Sequence, residues 1–172
     1  VENAAALGDG ARSRGPWRLF ARGLHWLRRN TRAGSSRNIH AHYDLGNDFY
    51  AAWLDPSMSY SSARFDGTTG DLGAAQQRKL ASISQRLGAP ASVLEIGCGW
   101  GALARHLSDG GAEVAAISLS DAQLDWARER LGAASIDFRK QDYRDVNGQF
   151  DAIASVEMVE AVGREFWPSW FD

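Results

Sequence analysis

The sequence predicts an α/β protein built on a parallel sheet, and three observations carry that prediction. After Pro90, short apolar runs alternate with stretches of helical spacing. The first run, Ser92–Ile96, ends directly in a glycine cluster, Gly97, Gly99 and Gly101, and a helical stretch follows. The composition is that of an ordinary globular chain: 172 residues, 44% hydrophobic and 23% charged. That excludes a disordered or collagen-like chain. No run approaches the roughly 18 apolar residues that a spanning helix needs.

The elements follow in order. Residues 1–37 form a basic leader. The first 41 residues hold eight arginines against Glu2 and Asp9, while the remainder is acidic and the whole chain has a net charge of −2. Within the leader Trp17, Phe20, Leu24 and Leu27 fall at helical spacing behind Pro16, with Arg18, Arg22 and Arg29 mostly off that stripe. A basic amphipathic helix of this kind suits a membrane interface with anionic lipid; a solvated helix packed on its own domain is the plainer reading. Nucleic acid is not expected as a partner, because the rest of the chain is acidic. Residues 38–88 read as a helical cap with helices at 46–54 and 72–87. Asp71 is the N-cap of the second, Leu80, Ile83 and Leu87 its stripe, and Gly88 and Pro90 its stop.

Residues 89–172 read as successive strand–helix units. Strands are expected at Ser92–Ile96, Glu113–Ile117, Ser135–Arg139 and Phe150–Val156, with helices at Ala102–Leu107 and Asp121–Leu131. The single cysteine, Cys98, excludes a disulfide scaffold and suits a reducing, cytoplasmic setting. Cys98 reads as a packing residue. No His, Cys or carboxylate pair has metal-ligand spacing, so no metal is expected.

The glycine loop carries the first chemistry. Glycines between a strand and a helix let the backbone approach a ligand with no Cβ in the way. A dinucleotide site would read G-x-G-x-x-G with an acid about 20 residues on. Here the pattern is E-x-G-x-G-x-G, and the second strand ends in Ser118-Leu119-Ser120 without an acid. An acid before G-x-G-x-G is instead the motif of S-adenosylmethionine (SAM) methyltransferases. A glycine turn that only packs helix on strand remains the plain alternative.

Residues 40–65 read HAHYDLGNDFYAAWLDPSMSYSSARF. With EIGCGWG at 95–101, SLSDAQ at 118–123 and SVEMVEAVG at 155–163, the chain closely resembles the cyclopropane-fatty-acid synthase family. That family includes mycolic-acid cyclopropane synthases and fatty-acid C-methyltransferases. The resemblance runs from about Asn38 to Asp172. It implies a class I SAM-methyltransferase sheet of which about four strands are present, and a bacterial enzyme of lipid biosynthesis. In the family an alkene of a phospholipid acyl chain attacks the SAM methyl group. Proton loss then gives a cyclopropane or a methyl or methylene branch. Bound bicarbonate serves as the base in the cyclopropane synthases.

By resemblance, Tyr60, Ser61, Gly97, Gly99, Leu119, Gln123, Asp142, Tyr143 and Val156 contact the cofactor. Glu160 helps hold bicarbonate, and the Ser62 backbone N–H contacts it where the synthases commonly have cysteine. Each has a plainer reading. Tyr60 could be a buried aromatic, Gln123 part of a helix capping box with Ser120, and Asp142 a turn residue. Of Glu157 and Glu160, three apart, only Glu160 matches the family's position, and one of the two reads as solvated or structural. His40 and His42 read as hydrogen-bonded structural residues.

The family's further bicarbonate ligands lie downstream, so the chain reads as part of a longer protein and is expected to be inactive alone. The rival functions are a small-molecule N-methyltransferase and a non-catalytic SAM-binding module. A lipid surface at the inner face of the membrane is the expected partner.

Overall fold

A computed structural model describes residues 46–67, 70–131 and 135–171. The leader, His40 and His42 lie outside the described residues. Four parallel strands form one sheet in the order β3-β2-β1-β4: β1 Ser92–Ile96, β2 Glu113–Ser118, β3 Ile136–Lys140 and β4 Ala152–Ser155. Helix α1 spans Asn47–Ala51, α2 Leu72–Leu87, α3 Ala102–Asp109, α4 Asp121–Leu131, α5 Val159–Val162 and α6 Trp167–Phe171. The expected strand–helix alternation is therefore present. β3 starts one residue later than expected and β4 is shorter, because Asp151 turns to accept from the Ser92 backbone N–H instead of extending the strand.

The sheet forms around its inner strands β1 and β2, which are largely apolar on both faces, while the edge strand β3 alternates apolar and charged residues. Val93, Val114 and Ala116 pack on one side against Leu103, Ala104 and Leu107 of α3, Leu124 of α4 and Leu80 of α2. Leu94, Ala115 and Ile117 point to the other side, against Tyr143, Val146 and Phe150. Each fully buried side chain of this size contributes about 1.5–3 kcal/mol. Helix α2 starts where the Asp71 carboxylate accepts from the Ala74 N–H at 3.2 Å and stops at Gly88, whose φ is +78°.

The strand order places the ligand crevice. The chain builds β1, β2 and β3 outward, then returns to place β4 on the opposite side of β1. The carboxyl ends of β1 and β4 thus flank a topological switch point, where open α/β sheets bind ligands.

Candidate active site

A cleft of about 290 Å³ opens at that switch point, near the lower size limit of small-molecule sites. Of the residues expected from the sequence, it brings together Tyr60, Ser61, Gly97, Gly99, Gln123, Val156 and Glu160. Ser62 stands at its edge through a bond to the cleft residue Glu157. Leu119, half-buried after β2, does not line it. Asp142 and Tyr143 also lie apart from its wall. Asp142 caps a short 3₁₀ turn and pairs with Arg144 at 2.5 Å, while Tyr143 packs on the opposite sheet face and meets Trp170 edge-on at 4.7 Å.

Local sequence explains each wall. Gly97 has φ +80°, and a Cβ there would stand 2.6 Å from the Met158 sulfur. The missing Cβ therefore lets Met158 pack directly on the turn. Gly101 differs in role: a Cβ there would meet Leu131 and Phe138, so it serves packing of α3 on the sheet. Gln123 is buried; its N–H reaches the Ser120 hydroxyl at 3.4 Å, and its side-chain oxygen accepts from the Ser118 hydroxyl at 3.2 Å. The Ser120 hydroxyl caps α4, but the capping box is not closed: the Ser120 N–H donates to the Ser118 hydroxyl, and the Gln123 side chain lines the cleft instead. Tyr60 is not buried: its ring is 55% exposed, set edge-on to Tyr50 and Trp53.

Helix α2 supplies residues that the motif reading passed over. Gln76 donates to the carbonyls of Ser59 and Ser61 at 3.1 and 3.0 Å, and Lys79 donates to the Ser61 hydroxyl at 2.7 Å. They hold the Tyr60-Ser61 loop against the cleft. Helical spacing marks the buried face of α2, yet a buried Gln or Lys is a signal only once its partner is known.

The cleft's charge is negative, with Glu157 and Glu160 against Lys79, and Glu95 adds a buried carboxyl. Glu95 is 4% exposed, and burial pushes its carboxyl up to about 8, only partly offset by the Ala104 N–H and the Lys79 charge. Its Oε2 is buried without a hydrogen-bond partner. A buried acceptor without a donor is costly, so this atom suits a ligand that brings an N–H. A SAM amino-acid end would bring an ammonium, and its sulfonium adds a second positive charge to an acidic cleft. Gly99, with nothing within 4 Å of where a Cβ would stand, gives room for backbone approach. The residues present fit that cofactor.

They fit bicarbonate poorly. The Ser62 N–H, expected to bind it, instead donates to Glu157 Oε1 at 2.9 Å, and the Ser62 hydroxyl donates to the same oxygen. Glu160 stands exposed on the same cleft from the first turn of α5. Cys98 is buried in the core with its thiol pushed well up by burial, so it packs and does not react.

The chain is similar to known proteins in sequence and in fold. The chain is 41% identical to the tuberculostearic acid methyltransferase of Mycobacterium tuberculosis over 89% of its own length and 42% of that protein. It is 42% identical to the cyclopropane-fatty-acyl-phospholipid synthase of Escherichia coli K12, over 76% of its length and 35% of that protein. It therefore spans less than half the length of these curated relatives. Among solved structures, a mycolic acid cyclopropane synthase complexed with SAH (the demethylated product of SAM) and CTAB matches with a TM-score of 0.69 and 27% identity, over 79% of this chain and 50% of that one. A cyclopropane synthase from M. tuberculosis gives 0.71 over the same shares. Coclaurine N-methyltransferase, at 21% identity and a TM-score of 0.58, shares the fold alone. The family model described as mycolic acid cyclopropane synthetase matches residues 30–172, and the chain belongs to that family.

Proposed function

We propose that the protein transfers a C1 unit from SAM to the double bond of an unsaturated phospholipid acyl chain, giving a cyclopropane or a methyl- or methylene-branched product. The observation that carries this reading is the cleft itself. It joins the open glycine turn at Gly99 and the unpartnered Glu95 oxygen, suited to a cationic cofactor, to the carboxylates of Glu157 and Glu160 at the end of β4. Bound SAM supplies an electrophilic methyl group. The chain's own residues do the rest. Glu95 receives the ammonium end, Gly99 admits it, and Gln76 and Lys79 hold the Tyr60-Ser61 loop in place. Tyr60 and Trp53 put aromatic faces near the region where positive charge develops on the acyl chain. The basic leader, residues 1–37, brings the enzyme to an anionic membrane surface on the cytoplasmic side.

The test uses the complete open reading frame that encodes this chain, expressed in a host rich in monounsaturated phospholipid, with the host lacking it as control. Acyl chains are analysed by mass spectrometry and proton NMR. A gain of one CH2 unit with cyclopropane signals identifies a synthase; the same gain with olefinic methylene or methyl-branch signals identifies a branching methyltransferase. No gain with SAM binding intact rejects the acyl substrate.

A further inference from the structure

We propose that Glu157 is the proton acceptor of the C1 transfer, its carboxylate occupying the Ser62 donors so that the base is carried by the chain itself. This inference rests on the acyl-transfer reading above. Two donors of one residue, the Ser62 N–H at 2.9 Å and the Ser62 hydroxyl, converge on Glu157 Oε1. Among the described residues Oε2 makes no hydrogen bond, and Glu157 lines the same cleft as Gly97, Tyr60 and Glu160. One oxygen is thus anchored while the other is left to take a proton.

The backbone supports a placed rather than incidental side chain. Glu157 has φ +53°, a left-handed conformation that favours glycine. A non-glycine residue held there is strained, and such strain clusters at functional sites. It is not part of a helix; α5 begins two residues later, at Val159. The two Ser62 donors and the Lys79 charge hold the carboxyl below its usual range, so it is ionised at neutral pH. That makes it a weak base, which suffices, because a C–H beside a carbocation is strongly acidic.

The step balances without a further reactant. After methyl transfer the acyl chain carries a cation. Glu157 Oε2 takes a proton from an adjacent carbon or from the added methyl, and the C–H electron pair becomes the new C–C bond of an alkene or of a ring. The proton then passes to solvent, since Glu157 is exposed on one side.

The test compares the wild-type full-length protein with Glu157→Gln and Glu157→Gly in CO2-free buffer, with and without added bicarbonate. Glutamine keeps an acceptor for Ser62 but not a base; glycine suits φ +53° and frees the Ser62 N–H. The wild-type rate is expected to be indifferent to bicarbonate. Glu157→Gln should lose about 100-fold or more in kcat while SAM affinity stays within about twofold. Glu157→Gly should be inactive without bicarbonate and recover on its addition. A second readout needs no turnover: the carbon-13 signal of labelled bicarbonate should broaden with Glu157→Gly and not with wild type. Bicarbonate stimulation or binding by wild type, an undiminished Glu157→Gln rate, or no bicarbonate binding by Glu157→Gly overturns the proposal. If wild type makes no acyl product at all, the acyl-transfer reading fails, and the carbon-13 experiment still reports which anion Ser62 holds.

Discussion

Lys79 donates to both oxygens of Ser61, the hydroxyl at 2.7 Å and the carbonyl at 3.3 Å, and so ties α2 to the loop that carries Tyr60. Burial lowers the pKa of the ammonium, while Glu157, Asp55 and Glu95 hold it up. The acidic neighbours thus offset part of the burial. Hydrogen bonds to a charged group are worth about 1.5–3 kcal/mol. Lys79→Met should weaken SAM binding about tenfold or more, read by calorimetric titration. Unchanged affinity would mean that the loop keeps its place without the tie.

The glycines of the loop should separate by role. In Gly97→Ala the new methyl meets Met158 and the residue must hold φ +80°. In Gly99→Ala there is open space within 4 Å, so the cost is conformational alone, at φ +55°. Ligand-free stability should fall further for Gly97→Ala, by about 2 kcal/mol against about 1. Urea unfolding of the two variants checks the order, and an equal loss would show that Met158 swings aside freely.

The contrast between those glycines also shows what could be read from the sequence. Periodicity and punctuation are local, so β1, α4 and the Asp71 cap of α2 fall where Ser92–Ile96, Asp121–Leu131 and the Asp71 N-cap were expected. Elements without such punctuation drift: α1 is shorter than 46–54 because Ala52 and Trp53 turn off the helix. The motif loops likewise mark Tyr60, Ser61 and the glycines. The Ser62–Glu157 bond was not legible, because its partners are 95 residues apart and meet only when β4 joins β1. Nor was Glu95's unpartnered oxygen, since a strand residue's burial depends on what covers it. Asp142 shows the reverse: a motif position whose carboxylate is engaged by Arg144, two residues away.

The leader lends itself to a direct experiment. Its arginines and its Trp17, Phe20, Leu24 and Leu27 stripe should bind vesicles containing anionic lipid. Each basic residue near such a surface adds about 1 kcal/mol, and the attraction weakens with salt. Co-sedimentation should be strong at low salt, weaker at high salt, and lost on deletion of residues 1–37. Equal binding by the deleted protein would assign the membrane contact elsewhere.

Glu95 sets a pH dependence whose sign is fixed by its burial. The folded carboxyl titrates at about 8, against 4.5 for an unperturbed one. Below about pH 4.5 both folded and unfolded chains are protonated there. Between the two values the folded chain holds the extra proton, so this group's contribution to stability falls as pH rises, by up to about 1.4 kcal/mol per pH unit. Above about 8 the loss is complete. Glu157 and Asp151, whose pKa values are lowered, act in the opposite sense at acid pH, where their contributions are lost as pH falls. The difference in urea stability between wild type and Glu95→Gln should therefore change between pH 5 and 8 and not beyond. Ligand binding reads the same proton. An ammonium placed at Oε2 favours the carboxylate, so SAM binding at pH 7 should release up to one proton. Calorimetry in buffers of different ionisation enthalpy should show that release in wild type and not in Glu95→Gln. A buffer-independent enthalpy in wild type would remove Glu95 from the cofactor site and leave it as a cap on the Ala104 N–H.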